Sequence, residues 1–306
     1  MSPGKYFLAL DIGGTNVRTA LAQGNRIVAT RSERWPQNLS PGEDLDFVTE
    51  LALKLLGEGN LFGKVGAAGV SLAALVDQNG TVVQWPNRQS WRGLPFRSLL
   101  EKRLSLPLIV EDDANAAALG EATFGAGQNY RHLMVMTVGT GVGAGIILNR
   151  RLFRGQHGWA GEIGHLTVLP DGPDCPCGKR GCLQLMASGR GLERIAIKQN
   201  LTGSEDVTAA AERAEKWAVE SIAASGRWVG LAAANVVNLL DLEAVIIGGG
   251  LSGLGPEWWN PLEETMRANL INADCRSVAL RRTALSDASA LFGAILLAQQ
   301  AFEGGA

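Results

Sequence analysis

The sequence contains no long apolar run and no block of charges of one sign. No stretch approaches the roughly 18 unbroken apolar residues of a membrane-spanning helix. The apolar part of the N-terminus, residues 6–10, is too short for a secretory signal. The net charge is only -2, which disfavours nucleic acid or an anionic membrane as a partner. We therefore expect a cytoplasmic protein that binds neither membranes nor nucleic acid.

Cysteine is scarce, and its distribution is uneven. The chain has four cysteines, of which Cys175, Cys177 and Cys182 fall within eight residues while Cys275 is isolated. Thiols stay reduced in the cytoplasm, so a cluster of this kind favours a metal site over disulfides.

The length and composition predict a soluble globular protein with two lobes. The chain has 306 residues, 46% of them hydrophobic and 19% charged. That length is long for one simple domain and short for three, and the apolar fraction is sufficient for a substantial core.

A strand, a glycine-rich turn and a second strand occur twice in the sequence. Residues 6–10 read as a strand, 11–16 as the turn and 17–22 as the next strand. The same order recurs over 133–138, 139–145 and 146–148. This hairpin differs from the strand–turn–helix unit of a dinucleotide site. The weak duplication predicts two related lobes that face a cleft.

The other patterns predict alternating helices and strands. We expect helices over 42–57, from about 96, over 114–124 and over 287–303, and strands over 65–75, 108–110 and 244–247. Residues 155–187 read as loop-rich, and residues 188–240 as mostly helical with a break near 200–204.

The first glycine-rich turn is a candidate phosphate loop. Glycine lets the backbone approach an anion and present its N–H groups, as Gly13 and Gly14 would here. Asp11 would hold a hydrated Mg2+, and the hydroxyl of Thr15 would donate to a phosphate. An ordinary Gly-Gly hairpin turn is an equally good interpretation of this motif alone.

Two further glycine clusters strengthen that interpretation. Four alternating glycines in 139–145 weaken a plain hairpin, so Thr140, Gly141 and Gly143 are candidate phosphate contacts. Gly248 and Gly249 follow the strand at 244–247 and would let an adenosine lie against the backbone. Taken alone, this third cluster is a strand-to-helix turn.

The order of the three clusters resembles the sugar kinase/actin/Hsp70 nucleotide-binding fold. The stretch GWAGEIGH at 158–165, followed by Cys-x-Cys-x4-Cys at 175–182, narrows the resemblance to the ROK family of bacterial sugar kinases and repressors. The likeness extends from Leu8 to about Leu297.

The resemblance implies an α/β fold: a two-lobed actin-like ATPase (ribonuclease H-like) fold with a nucleotide and sugar cleft. The small lobe would comprise 1–115 plus 290–306, and the large lobe, with a zinc-binding loop, 116–289. The implied activity is ATP-dependent transfer of the γ-phosphate to a hydroxyl, O6, of a hexose or hexosamine, by a homodimer. Repressors of the family carry an added N-terminal helix-turn-helix, and we expect none before the strand that begins near Tyr6.

One histidine and three cysteines, His165, Cys175, Cys177 and Cys182, form a closed set of tetrahedral Zn2+ ligands, typical of a structural zinc. The alternative is four unrelated buried residues. The resemblance implies that His165 also contacts the sugar, which is chemically sensible because imidazole has two ring nitrogens.

The resemblance also places the catalytic base at Asp113, where a strand meets a helix N-terminus. From the residues alone, Asp112 or Asp113 could simply cap that helix. Glu162 and His165 would bind sugar hydroxyls. Asn87 would lie near the sugar, or it would only brace its loop.

Three positions depart from the family pattern, and all are expected on the sugar side. Asp112 stands where asparagine is usual, Gln184 where a sugar-binding glutamate is usual, and Ala73-Ala74 where Pro-Gly is common. The change at Asp112 would suit an aminosugar such as kanosamine, whereas neutral drift in a glucokinase is the simpler interpretation. A catalytically weak sugar sensor and an actin-like ATPase remain alternatives, and polyphosphate remains an alternative donor.

Overall fold

The computed structural model describes residues 5–36, 39–271 and 277–304. The chain divides into two compact units. The first contains the residues up to 125, residues 152–160 and those from 288 onward, and the second contains residues 126–151 and 161–287. Residues 116–125 and 152–160 thus cluster with the first unit, whereas the lobe boundaries predicted from the sequence stay a prediction.

The first unit is built on a five-stranded sheet. Its strands are β1 (Tyr6–Ile12), β2 (Asn16–Gln23), β3 (Arg26–Arg34), β4 (Val65–Leu72) and β7 (Leu108–Asp112), in the order β3-β2-β1-β4-β7. Strand β1 pairs antiparallel with β2 and parallel with β4, and β4 pairs parallel with β7. A small ribbon is formed by β5 (Leu75–Val76) and β6 (Val82–Gln84).

Four helices belong to the first unit: α1 (Pro41–Glu58), α2 (Phe96–Leu104), α3 (Asp113–Phe124) and α9 (Ser289–Gly304). A capping box starts α1, because the side chain of Ser40 accepts from the N–H of Glu43 and the Glu43 carboxylate accepts from the N–H of Ser40. Its leucines belong to the same buried core cluster as residues of β1, β2 and β4.

The second unit repeats this plan. Its strands are β8 (Leu133–Val138), β9 (Val142–Leu148), β10 (Arg151–Leu152), β11 (Ala244–Gly248) and β12 (Ala279–Arg282), in the order β10-β9-β8-β11-β12. Its helices are α4 (Leu183–Ala187), α5 (Gly189–Lys198), α6 (Ser204–Glu212), α7 (Lys216–Leu240) and α8 (Pro256–Ala268). The predicted helical stretch and its break near 200–204 are confirmed.

The two sheets share one topology, which supports the predicted duplication. In each sheet, the first strand of an antiparallel hairpin pairs in parallel with a third strand, which pairs in parallel with a fourth. One detail of the prediction was wrong. The turn of the second hairpin spans only residues 139–141, because Gly143 and Gly145 already lie in β9, opposite Thr137 and Val135.

Among the described residues, no helix has both the length and the apolar character needed to cross a membrane.

Candidate active site

The first glycine-rich turn joins β1 to β2 and is held by hydrogen bonds from Trp35. The N–H of Gly13 donates to the carbonyl of Asn16 at 3.0 Å, and the backbone N–H of Trp35 donates to Thr15 at 3.0 Å. The indole Nε1 of Trp35 donates to the carbonyl of Gly13 at 2.7 Å. The turn is therefore held at both ends by one residue of the adjoining segment.

Asn87 lies against this turn. A Cβ atom added to Gly14 would come within 2.0 Å of Asn87 Nδ2, so the amide occupies the space that a side chain would need. The structure therefore brings the predicted sugar residue Asn87 together with the predicted phosphate loop.

Asp11 is buried at the end of β1 and is already engaged by two side chains. Arg18 donates to its Oδ2 from Nε at 3.0 Å and from Nη2 at 2.7 Å, and the hydroxyl of Ser71 donates to its Oδ1 at 2.9 Å. Each carboxylate oxygen carries two lone pairs. The predicted role in holding a hydrated Mg2+ fits this arrangement through water molecules, since direct coordination would compete with Arg18.

Beneath the turn lies an aromatic cluster, which we define as Trp35, Trp85 and Trp91, with a buried ion pair. Arg88 stacks over Trp35 at 3.9 Å and contacts both carboxylate oxygens of Asp44 at 2.6 Å. Trp91 Nε1 donates to Asp44 at 2.8 Å. Asp44 is fully buried, so its hydrogen bonds to Arg88 and Trp91 offset the cost of removing the carboxylate from water.

The second glycine-rich turn is held by the start of α5. The N–H of Gly189 donates to the carbonyl of Gly139 at 2.8 Å, and the N–H of Arg190 donates to that of Thr140 at 3.3 Å. The turn closes on itself through a bond of 3.0 Å from Gly139 N–H to the carbonyl of Gly141. Unpaired amides of a helix N-terminus thus position the loop.

A pocket of about 630 Å3 opens beside this turn. Its walls come from the turn, the first turns of α5 and α6, and the residues after β11. The lining residues are Gly139, Thr140, Gly189, Arg190, Glu193, Thr202, Gly203, Ser204, Glu205, Gly250 and Leu251. The volume lies within the range of about 300 to 1,000 Å3 that is usual for small-molecule sites.

The pocket contains only part of the predicted nucleotide contacts. Thr140 lines it, whereas Gly141 follows in the turn, Gly143 lies in β9, Gly248 ends β11 and Gly249 comes next in the chain. Sequence reasoning missed the contributions of α5 and α6. The break predicted near 200–204, where Thr202 to Glu205 now line the wall, was the available signal.

His165, Cys175, Cys177 and Cys182 come together in the second unit. One ligand atom from each lies within 4.8 Å of all the others. Cys177 Sγ is 3.6 Å from Cys182 Sγ, and Cys175 Sγ is 3.8 Å from His165 Nδ1. Tetrahedral zinc with Zn–S bonds of about 2.3 Å separates its sulfurs by about 3.8 Å. The four donors therefore fit the predicted structural Zn2+.

Proton binding in this group is shaped by burial and by the neighbouring thiols. Burial, and hydrogen bonds with Cys177 and Cys175, raise the pKa of Cys182 to about 12. Burial also acts to raise the pKa of Cys175, but hydrogen bonds from the Cys177 backbone, Gln184 and the other thiols outweigh it and lower that pKa. These directions describe the protein without a metal, which would favour the thiolates.

The turn that carries Glu162 and His165 packs tightly on β9. Gly161 has a φ of +97°, and a Cβ there would lie 2.1 Å from the carbonyl oxygen of Ala144, so only glycine fits. Burial raises the pKa of Glu162. Burial and the positive charge of Lys179 lower the pKa of His165, which favours the neutral imidazole that binds metals.

Gln184 lies between the zinc-ligand group and the second glycine-rich turn. Its Nε2 donates to Cys175 Sγ at 3.5 Å. Its Oε1 would be 3.7 Å from a Cβ placed on Gly141. The predicted sugar residue is thus also a neighbour of the zinc ligands.

Asp112 and Asp113 occupy different positions at the start of α3. Asp112 is the N-cap, and its Oδ1 accepts from the N–H groups of Ala114 at 3.0 Å and Asn115 at 3.3 Å. Asp113 is the first helical residue, where the helix dipole favours a negative charge. Because Asp112 caps the helix, capping does not account for Asp113.

The ROK family model matches residues 7–301 of this chain. The protein belongs to the ROK family. The glucokinase of Streptomyces coelicolor is 34% identical over 96% of this chain and 97% of its own length.

Solved structures agree with this assignment. A ROK hexokinase from Thermus thermophilus superposes with a TM-score of 0.88 at 31% identity, over 98% of this chain and all of that one. A ROK family glucokinase from Streptomyces griseus, in complex with glucose and AMPPNP, gives a TM-score of 0.81 at 34% identity, over 96% of this chain and 99% of that one. These likenesses confirm the predicted α/β fold of the actin-like ATPase type.

Regulators are also among the relatives. The xylose repressor of Bacillus spizizenii is 32% identical over 79% of this chain, and the match covers 63% of the repressor. The ROK family therefore includes both kinases and regulators among the relatives of this chain.

Proposed function

We propose that this ROK protein is a sugar kinase, which transfers the γ-phosphate of ATP to a hydroxyl, O6, of a hexose or hexosamine. One observation carries the proposal above all. The His165, Cys175, Cys177 and Cys182 group, the Glu162 carboxylate and a nucleotide-sized pocket beside a glycine-rich turn all belong to one compact unit.

The nucleotide is assigned to the pocket and the glycine-rich turns. The adenosine occupies the pocket between the starts of α5 and α6, and the phosphates contact Thr140, Gly141 and Gly143. Gly248 and Gly249 lie against the nucleoside. The complex of the Streptomyces griseus glucokinase with AMPPNP supports ATP as the donor.

The first turn offers phosphate contacts of its own. Backbone N–H groups of Gly13 and Gly14 and the hydroxyl of Thr15 bind phosphate oxygens. Asp11 would hold a hydrated Mg2+, which would supply neutralisation of the charge on the phosphates. The bonds from Arg18 and Ser71 fix the orientation of the Asp11 carboxylate.

Asp113 acts as the base. A carboxylate at the first position of α3 is stabilised by the helix N-terminus and accepts the proton of the attacking hydroxyl. Phosphoryl transfer depends mainly on positioning and electrostatic stabilisation. The position that the start of α3 gives to Asp113 is therefore as important as the basicity of its carboxylate.

The remaining assigned residues bind and orient the sugar. Glu162, His165, Asp112, Gln184 and Asn87 offer acceptors and donors for its hydroxyls. Cys175, Cys177, Cys182 and His165 Nδ1 would hold zinc, which supplies rigidity to the loop when bound. That leaves the other ring nitrogen of His165 for a sugar hydroxyl.

An aminosugar such as kanosamine is the second candidate substrate. The observation that favours it is the position of Asp112, which puts a carboxylate at the helix cap beside Asp113. A carboxylate attracts an ammonium group where an amide would not. A catalytically weak sugar sensor is a further alternative, supported by the xylose repressors among the relatives.

We also propose that the protein acts in the cytoplasm as a homodimer, as the family resemblance implies. Light scattering of the purified protein tests the dimer, and a monomer at micromolar concentration would contradict it.

A coupled ADP-release assay with Mg-ATP tests the function. The panel contains glucose, mannose, fructose, allose, N-acetylglucosamine, N-acetylmannosamine, glucosamine and kanosamine, and Asp113→Asn is the control. Sugar-dependent ADP release that is lost in Asp113→Asn supports the kinase. Binding of sugars without turnover would favour the sensor, and a preference for kanosamine would favour the aminosugar.

A further inference from the structure

An ion pair between a buried carboxylate and an arginine whose side chain is 42% exposed joins the end of β7 to the segment that precedes the Glu162 turn. Arg154 Nε donates to Glu111 Oε2 at 2.6 Å. The side chain of Glu111 is only 6% exposed. Glu111 directly precedes the cap residue Asp112 in the chain, so the pair is made at the start of α3.

The same carboxylate also reaches into the first turn of α3. Asn115 Nδ2 donates to Glu111 Oε1 at 3.1 Å, and the Asn115 residue is 2% exposed. Glu111 therefore connects the guanidinium of Arg154 with the helix that carries Asp113. Asn115 Oδ1 has no hydrogen-bond partner among the described residues, so its amide is oriented by Glu111 alone.

Arg154 also shapes its own segment. Its carbonyl accepts the N–H of Ala160 at 3.1 Å. Gln78 Nε2 donates to the carbonyl of Gln156 at 2.6 Å, which ties the middle of the segment to the ribbon of β5 and β6. The segment runs in sequence directly into Gly161 and Glu162.

The chemistry of the pair suits precise positioning. A buried carboxylate without a partner is strongly disfavoured. Conformations in which Arg154 contacts Glu111 are therefore favoured. The guanidinium is planar and permanently charged, and it fixes direction as well as distance. Lysine would supply the charge without that geometry.

We propose that Arg154 is a positioning residue for phosphoryl transfer, which acts through Glu111 and Asn115 on the first turn of α3 and thereby on the orientation of Asp113. The inference rests on the proposed kinase function and adds three residues that the motifs did not assign to it. In this role Arg154 does not contact the substrate, because it acts on Asp113 through the start of α3.

The first test compares Arg154→Met, Arg154→Lys and Arg151→Met. Arg151 is an exposed arginine three residues earlier in the chain and serves as the control. We expect kcat to fall at least about tenfold in Arg154→Met with KM for ATP unchanged, since small misplacements of a catalytic group are costly. Arg154→Lys should be intermediate, and Arg151→Met should match the wild type.

A purely structural role predicts a different result. It would lower the melting temperature of Arg154→Met but leave kcat unchanged in the protein that remains folded. If Arg154→Met fails to fold, the double variant Arg154→Met/Glu111→Gln removes both charges. We expect this variant to fold and to keep the low kcat, and a wild-type kcat there would overturn the proposal.

Hydrogen exchange provides a readout that does not depend on activity. The amides of Ala114 and Asn115, which donate to Asp112, should exchange faster in Arg154→Met and as in the wild type in Arg151→Met. Unchanged exchange would overturn the positioning role. Absence of turnover in the wild type, by contrast, would overturn the proposed kinase function itself.

Discussion

The indole N–H of Trp35 donates to the carbonyl oxygen of Gly13 at 2.7 Å, whereas the indole N–H of its neighbour Trp85 has no partner among the described residues. The two rings lie 6.1 Å apart in an edge-on arrangement. One tryptophan therefore packs and also fixes the first glycine-rich turn, while the other only packs. This contrast offers a direct test of what the hydrogen bond contributes.

Trp35→Phe should weaken ATP binding by loosening the turn. The change removes the hydrogen bond to Gly13, at a cost of about 1 kcal/mol in the free energy of unfolding, and we expect a several-fold rise in KM for ATP. Trp85→Phe removes the same ring volume from the same cluster but no hydrogen bond, so its KM should stay near that of the wild type. Equal KM values in both variants would contradict the role of Trp35.

The buried Asp44 should be a major contributor to stability. Asp44→Ala leaves Arg88, whose side chain is 13% exposed, without its partner, and we expect a loss of about 3–5 kcal/mol in urea unfolding. Asp46 lies on the same helix with a side chain that is 63% exposed and pairs with Arg103. Asp46→Ala should cost about 1 kcal/mol or less, and a similar loss in both variants would count against the buried pair.

Zinc should be present and structural. The purified protein should contain about one zinc per chain, because four donors complete the tetrahedron. Cys182→Ser should lose the zinc and lower the melting temperature, while Cys275→Ser should keep it. Cys275 lies outside the residues that the structure describes. Metal analysis that finds no zinc in the wild type, or full zinc in Cys182→Ser, would disprove the site.

Gln184 should help to retain zinc through its contact with Cys175. Gln184→Glu replaces the N–H donor, 3.5 Å from the sulfur, with a carboxylate that repels a thiolate. We expect faster zinc transfer to a chelator, by several-fold. Gln199→Glu, at the exposed end of α5, introduces the same charge elsewhere and should have no effect. Indistinguishable transfer rates would show that the amide does not support the metal.

Regular elements could be predicted wherever local signals agree. The helix predicted over 42–57 is observed as Pro41–Glu58, because an apolar helical pattern follows the Ser40–Glu43 capping box. The strand predicted over 133–138 has the same bounds in the structure. The grouping of His165, Cys175, Cys177 and Cys182 was also predicted from the sequence, since their spacing and donor types are themselves the signal.

Other features depend on tertiary structure and escaped prediction. Gly143 and Gly145 are poor strand residues, yet they extend β9 because pairing with β8 outweighs local propensity. Two adjacent aspartates have equal capping ability, and only the extended backbone of Asp112 shows which one is the cap. The pairs Arg154–Glu111 and Ser71–Asp11 are 43 and 60 residues apart, so no local pattern reveals them.

The most direct test of the central claim is 31P NMR of the products formed from Mg-ATP and each sugar. We expect a phosphomonoester whose phosphorus couples to two methylene protons, as phosphate on O6 requires, and no such product from Asp113→Asn. ADP with only inorganic phosphate, or equal amounts of sugar phosphate from the wild type and Asp113→Asn, would contradict it.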